Sequence, residues 1–144
     1  MSDLRDLRQH SVRTLAWLGD AEFEQIVRRR VALLGDYPVD RLDRARALVS
    51  RAEAQAELVA AIEPALREEE AAVVRRARNA SVRSGGRVKR DVKAYRAATG
   101  LEALVAWWVL GGPEGEARLE AVLGAHLNVA VARALERSEK PRRG

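Results

Sequence analysis

Apolar residues recur along this chain at helical rather than strand spacing. Within residues 15–34, Ala16, Phe23, Val27, Val31 and Leu34 share one stripe with Asp20 in its middle, while Leu15, Leu18, Gly19 and Ile26 run up another side. A helix apolar on two sides is expected to be largely buried. Asp20 is therefore read as heading into a place where a carboxylate needs either a hydrogen-bonding partner, such as an arginine, or a cation. This first helix is expected over about 11–34, stopped by Gly35-Asp36 and Tyr37-Pro38. Leu42, Ala45, Leu48, Val49, Ala52, Ala56, Val59 and Ile62 then keep one period, predicting a single second helix from Asp40 until Pro64 interrupts it.

A third helix is predicted over about 66–78. Glu68, Glu69 and Glu70 open it and Arg75, Arg76 and Arg78 close it, the order that complements a helix dipole. Residues 79–90, NASVRSGGRVKR, form the one extended breaker-rich loop, and loops this long inside a compact domain are mostly functional. With Asp91 as its cap, a fourth helix over 92–110 repeats the oddity of the first. Tyr95, Ala98, Thr99, Val105, Ala106 and Val109 surround Glu102, with Leu101, Leu104 and Trp108 on the opposite side. After Gly111-Gly112-Pro113 a last helix is expected over about 114–137, with His126 at its core or rim. The first ten residues read as a polar lead, and 138–144 as a disordered tail.

Composition supports this all-α reading. Hydrophobic residues make up 47% of the 144, yet aromatics only 4%, so the core must be Leu, Val, Ile and Ala. The length suits a single domain over 1–144, of about five to seven helices. The absence of Cys excludes disulfides, thiolate metal sites and a Cys nucleophile, and the presence of only two His argues against a multi-histidine zinc centre. Any metal would need oxygen ligands, which favours Mg²⁺ or Mn²⁺. The N-terminus is charged from its third residue and the apolar run 101–110 is too short to span a bilayer, so a cytoplasmic protein with no membrane partner is expected.

Charge sharpens the picture. Residues 75–96 hold nine Lys or Arg against Asp91 alone, whereas the whole chain carries only +5, so everything outside that segment is net acidic. Such confinement points to a polyanion met at a defined surface. Two embedded acids on separate helices, Asp20 and Glu102, would repel one another if brought together, unless a cation lay between them. Carboxylates holding Mg²⁺ beside a polyanion-binding surface outline a phosphodiester hydrolase.

The residues at this point resemble a known family. Leu15-Ala16-Trp17-Leu18-Gly19-Asp20-Ala21 with Glu24 is similar to the ribonuclease III signature segment. Tyr95-Arg96-Ala97-Ala98-Thr99-Gly100-Leu101-Glu102-Ala103-Leu104 resembles its second acidic motif, in the form typical of the Mini-ribonuclease III branch. Glu68-Glu69-Glu70 followed by Val73-Val74-Arg75-Arg76-Ala77-Arg78-Asn79-Ala80 is similar to a third stretch of that branch. The resemblance implies an all-α homodimer that cuts double-stranded RNA with Mg²⁺, in bacteria at the ends of precursor 23S ribosomal RNA, without the usual double-stranded-RNA-binding module. By position Asp20 and Glu102 would carry the metal and the chemistry. Arg75, Arg76, Arg78, Asn79, Arg83, Ser84, Arg87, Lys89 and Arg90 would meet the RNA backbone. Glu24, Thr99 and Tyr95 would stand behind the ligands in support of the site, with a purely structural role the alternative for Glu24.

Two departures from the larger enzymes matter. Ala16 and Thr99 stand where those have a Glu and an Asp, which implies a reduced acid set with waters at the missing ligand places. Glu22 replaces a usual apolar residue, and Arg83-Ser84-Gly85-Gly86-Arg87-Val88-Lys89 replaces the branch's loop; neither touches the proposed ligands. The competing reading is a non-catalytic ribonuclease III-like protein that binds structured RNA. A helical module docking an acidic protein would account for the charge but for neither embedded acid.

Overall fold

The computed structural model describes residues 3–81 and 92–139, and among them every regular element is helical. Ser11 caps the first long helix, α1 (Val12–Leu33), its Oγ accepting from the Thr14 amide at 3.2 Å. Next come α2 (Val39–Ser50), α3 (Ala52–Ile62), α4 (Glu68–Ala80), α5 (Val92–Val109), α6 (Gly112–Leu119) and α7 (Ala125–Ser138). A short 3₁₀ turn, Leu4–Gln9, precedes α1. The polar lead is thus ordered from Asp3 onward. Its Arg8 donates to the Trp107 carbonyl at 2.7 Å and lies 3.7 Å from the centre of that indole.

At the centre is α5, packed against α1, α3, α4 and α6. Its alanines 97, 98, 103 and 106 and Gly100 are buried alongside Leu101, Leu104, Val105 and Trp108. Small residues around a helix let its neighbours come close, and the crossing with α1 shows how close. A Cβ added at Gly19 would fall on the backbone carbonyl of Glu102. Only glycine permits that approach. Gly19→Ala is accordingly expected to push α1 from α5 and destabilise the fold by about 1–3 kcal/mol, at the upper end because backbone cannot repack. Urea denaturation checks this; an unchanged midpoint would show that the crossing accommodates a methyl group.

The structure revises several expectations. The buried stripe of α1 is Leu15, Gly19, Phe23, Val27 and Val31. Asp20 flanks this stripe and is exposed, as are Trp17 and Leu34. The second predicted helix is two, because Arg51 is extended and breaks the chain between α2 and α3. No Gly or Pro marks that break. It follows from packing, since α2 lies against α7 and α1, whereas α3 lies against α5. The last predicted helix contains a π-helical turn, Glu120–Gly124, between α6 and α7. Nor does the tail begin at 138. Ser138 is buried and its Oγ donates to the Leu135 carbonyl at 2.6 Å, while Arg41 and Arg44 of α2 donate to the carbonyls of Leu135 and Ser138. His126 is exposed at the rim of a groove between α3 and α7. Among the described residues no helix is long and apolar enough to cross a membrane.

Candidate active site

The α1–α5 crossing determines where the acids go. Gly19 contacts the backbone of Glu102, so Asp20, one residue on, lies beside the Glu102 side chain. Both line one cleft of about 470 Å³, walled by α1, α5 and the end of α4. On α5, Tyr95, Thr99 and Glu102 reach it from successive turns of one face. Tyr95 is half-exposed, and the Thr99 hydroxyl donates to the Tyr95 carbonyl at 2.9 Å. Ala16 also faces the cleft. The two positions that depart from the larger enzymes are therefore both cleft positions, and the acid set is reduced at the site itself.

Asp20 is exposed and Glu102 half-buried. Burial pushes the Glu102 carboxyl up to about 7, and the neighbouring Asp20 carboxylate adds to the effect; a hydrogen bond from Gln55 opposes them. Among the described residues neither acid has an ion-pair partner. Glu24, by contrast, is taken by Arg46 at 3.3 Å and Arg28 at 3.7 Å, a structural use that leaves it outside the cleft's lining. Two carboxylates side by side, with no counter-ion among the described residues, are a donor set that could hold a cation. Their oxygens suit Mg²⁺ or Mn²⁺, which binds through one or two carboxylates and keeps its waters. Among the described residues no third acid or histidine joins them.

The predicted RNA-contacting residues do not share one face. Ala77, Ala80 and Ser81 of the α4 end line the cleft. Arg76 is exposed but is not in the cleft lining, being rotated about 100° from Ala77 about the helix axis, in the opposite sense to Arg78. Arg78 is not in the cleft. It pairs with Glu63 at 3.3 Å and lines a separate groove with Asn79, Lys93 and Arg96, because one residue of helix rotates it about 100° from Ala77. Arg75 is exposed on the Asn79 side. Asn79 itself is helical, so α4 runs past the expected end at 78. Arg83, Ser84, Arg87, Lys89 and Arg90, like the Asp91 cap, lie outside the described residues.

Two cleft features escaped the sequence reading. Arg13 lines the cleft two turns before Asp20, an i, i+7 spacing visible in the sequence. Gln55 of α3 reaches Glu102 from beneath, with its Nε2 3.4 Å from Oε2. It occupies a core position of the α3 stripe, between Ala52 and Val59, where a polar residue is itself a signal.

Comparison with known proteins gives the family of the chain. Residues 13–113 match the Ribonuclease III domain, and the chain belongs to the ribonuclease III family of RNA-cutting hydrolases. Its relatives narrow the placement. Mini-ribonuclease 3 of Desulfitobacterium hafniense is 43% identical over 109 residues, which is 75% of this chain and 68% of that protein. The Mini-ribonuclease 3 of Symbiobacterium thermophilum is 43% identical over 99 residues, 69% and 75% of the two chains. That of Synechococcus sp. is 40% identical over 121 residues, 81% and 80%. Within the family, then, the similarity is to the Mini-ribonuclease 3 group.

Proposed function

We propose that this protein is a divalent-cation-dependent endonuclease for double-stranded RNA, acting in the cytoplasm on ribosomal RNA precursors such as the ends of 23S RNA. The observation that carries the reading is the meeting of Asp20 and Glu102, unpaired among the described residues, in one cleft. In this reading the two carboxylates hold Mg²⁺ or Mn²⁺. When bound, the cation supplies the Lewis acidity that phosphodiester hydrolysis needs. The chain's own part is to present both acids from helices locked at Gly19, and to hold phosphates with Arg13 in the cleft and Arg76 on the exposed face of α4 beside it. Duplex RNA offers phosphates and 2′-hydroxyls rather than bases, so arginines at a cleft rim are the recognition expected.

A homodimer with one cleft per protomer belongs to the same reading. Trp17 supports it, since its indole is 75% exposed at the cleft, an apolar surface of the kind a second copy covers.

The test is incubation of purified protein with duplex RNA, the matching single strand and the matching duplex DNA, with and without Mg²⁺. Internal cuts in duplex RNA alone, only with the cation, are expected. Binding of the duplex without cutting would support the non-catalytic alternative instead. Arg13→Glu and Arg76→Glu are each expected to weaken duplex binding and to lower the slope of log affinity against log salt by about one. Arg75→Glu is expected to do less. Unchanged slopes for Arg13 and Arg76 variants would move the RNA away from this rim.

A further inference from the structure

We infer that Gln55 is a positioning residue for Glu102, tying the catalytic helix α5 to the carbonyl end of α2. The inference rests on the proposed role of Glu102 as a cation ligand and adds a residue to it.

Gln55 is only 3% exposed and lies at the α2–α3 break. Its Nε2 donates to the Ser50 carbonyl at 2.7 Å and lies 3.4 Å from Glu102 Oε2. One amide nitrogen has two hydrogens, and these two acceptors use both. Turning the amide end for end would set its oxygen against the Ser50 carbonyl, so the α2 end fixes which atom faces Glu102. Ser50 closes α2 and Arg51 breaks away extended, so that carbonyl needs a donor from outside the helix. The same side chain thus satisfies a helix end and holds one oxygen of Glu102, leaving the other oxygen for the cleft. The Gln55 Oε1 has no hydrogen-bond partner among the described residues, although it is buried. Packing alone would favour Leu or Val at such a position, since a buried unpaired oxygen costs free energy. Ligating carboxylates are commonly held by a hydrogen bond of this sort, and its loss weakens metal affinity by about 10–100-fold.

The test is Gln55→Leu, which keeps the volume and removes the donor. Mn²⁺ binding to RNA-free protein is measured by calorimetry, with Asp20→Asn and Glu102→Gln as controls. A folded Gln55→Leu protein is expected to bind Mn²⁺ about tenfold or more weakly. Its kcat is expected to fall at low Mg²⁺ and recover at high Mg²⁺, with the KM for duplex RNA unchanged. Wild-type Mn²⁺ affinity in folded Gln55→Leu, while both controls lose it, overturns the role of Gln55 alone. Wild-type affinity in the controls overturns the underlying reading of the two acids. Should Gln55→Leu fail to fold, the wild-type protein decides. The Gln55 side-chain amide signals are expected to shift when Mg²⁺ is added and to stay still in Glu102→Gln, and signals that do not move in wild type overturn the inference.

Discussion

Asp20→Asn and Glu102→Gln are each expected to reduce cleavage of duplex RNA by about a thousandfold or more while leaving RNA binding largely intact. The magnitude follows from the several kcal/mol of charge stabilisation that a bound cation provides, about 4 kcal/mol being three powers of ten in rate. The separation of cutting from binding follows from geometry. Neither Asp20 nor Glu102 is a phosphate-attracting group, whereas Arg13 lines the cleft and Arg76 is exposed on α4 near it. Neutralising either acid removes a proposed cation ligand without removing a proposed phosphate contact. Glu102→Gln also relieves the repulsion between the two acids, so the apo variant is expected to be at least as stable as wild type. Single-turnover cleavage, filter binding and a thermal melt on the same preparations read all three quantities. Parallel loss of binding and cutting would count against the cation role and for a purely structural one.

Glu70→Gln is expected to destabilise the fold by about 3 kcal/mol, more than any other single charge neutralisation in the described chain. Glu70 is 1% exposed, and its carboxylate accepts from Arg118 Nε at 2.8 Å, Trp108 Nε1 at 2.9 Å and the Arg67 amide at 2.7 Å. Burial pushes the carboxyl up, but the hydrogen bonds from Arg118, the Arg67 amide and Trp108 outweigh it and hold the group at about 2, against 4.5 when free. That gap is worth roughly 3 kcal/mol. Because the folded-state value is depressed, the contribution is complete above about pH 4.5 and is lost as pH falls toward about 2. Wild-type protein should therefore lose stability steeply over that range, and Glu70→Gln protein should show a shallower fall from a lower starting point. A residue acting only as a first-turn acid would contribute about 0.3–1 kcal/mol. Urea denaturation from pH 7 down to pH 3 separates the two magnitudes. A loss below 1 kcal/mol with an unchanged acid profile would reduce Glu70 to ordinary helix-end chemistry.

Glu70 shows where sequence reading stops. Three consecutive acids at a helix start satisfy the dipole, and nothing local distinguishes the third. What singles it out is Arg118, 48 positions later, on a helix folded back against Trp108. Gln55 and Ser50 repeat the lesson at the α2–α3 break. The apolar period runs unbroken from Leu42 to Ile62, because both helices bury a face. Their different partners, α7 and α1 for one and α5 for the other, impose the bend.

The chain by itself determined its all-helical class, its aromatic-poor core, the spacing that marks Asp20 and Glu102, and the concentration of positive charge in residues 75–96. These are properties of neighbours along the backbone, and periodicity and composition encode them directly. Tertiary structure alone decided that Asp20 sits at a cleft mouth rather than in the core, and that Glu24 is neutralised by arginines while Asp20 and Glu102 lack such partners among the described residues. It also turned Arg78 to another groove and brought Gln55 beneath Glu102. Each of those outcomes depends on how α1, α3, α4 and α5 rotate against one another. That rotation is set by close contacts such as Gly19 on the Glu102 backbone, between residues more than eighty positions apart, which no local pattern records.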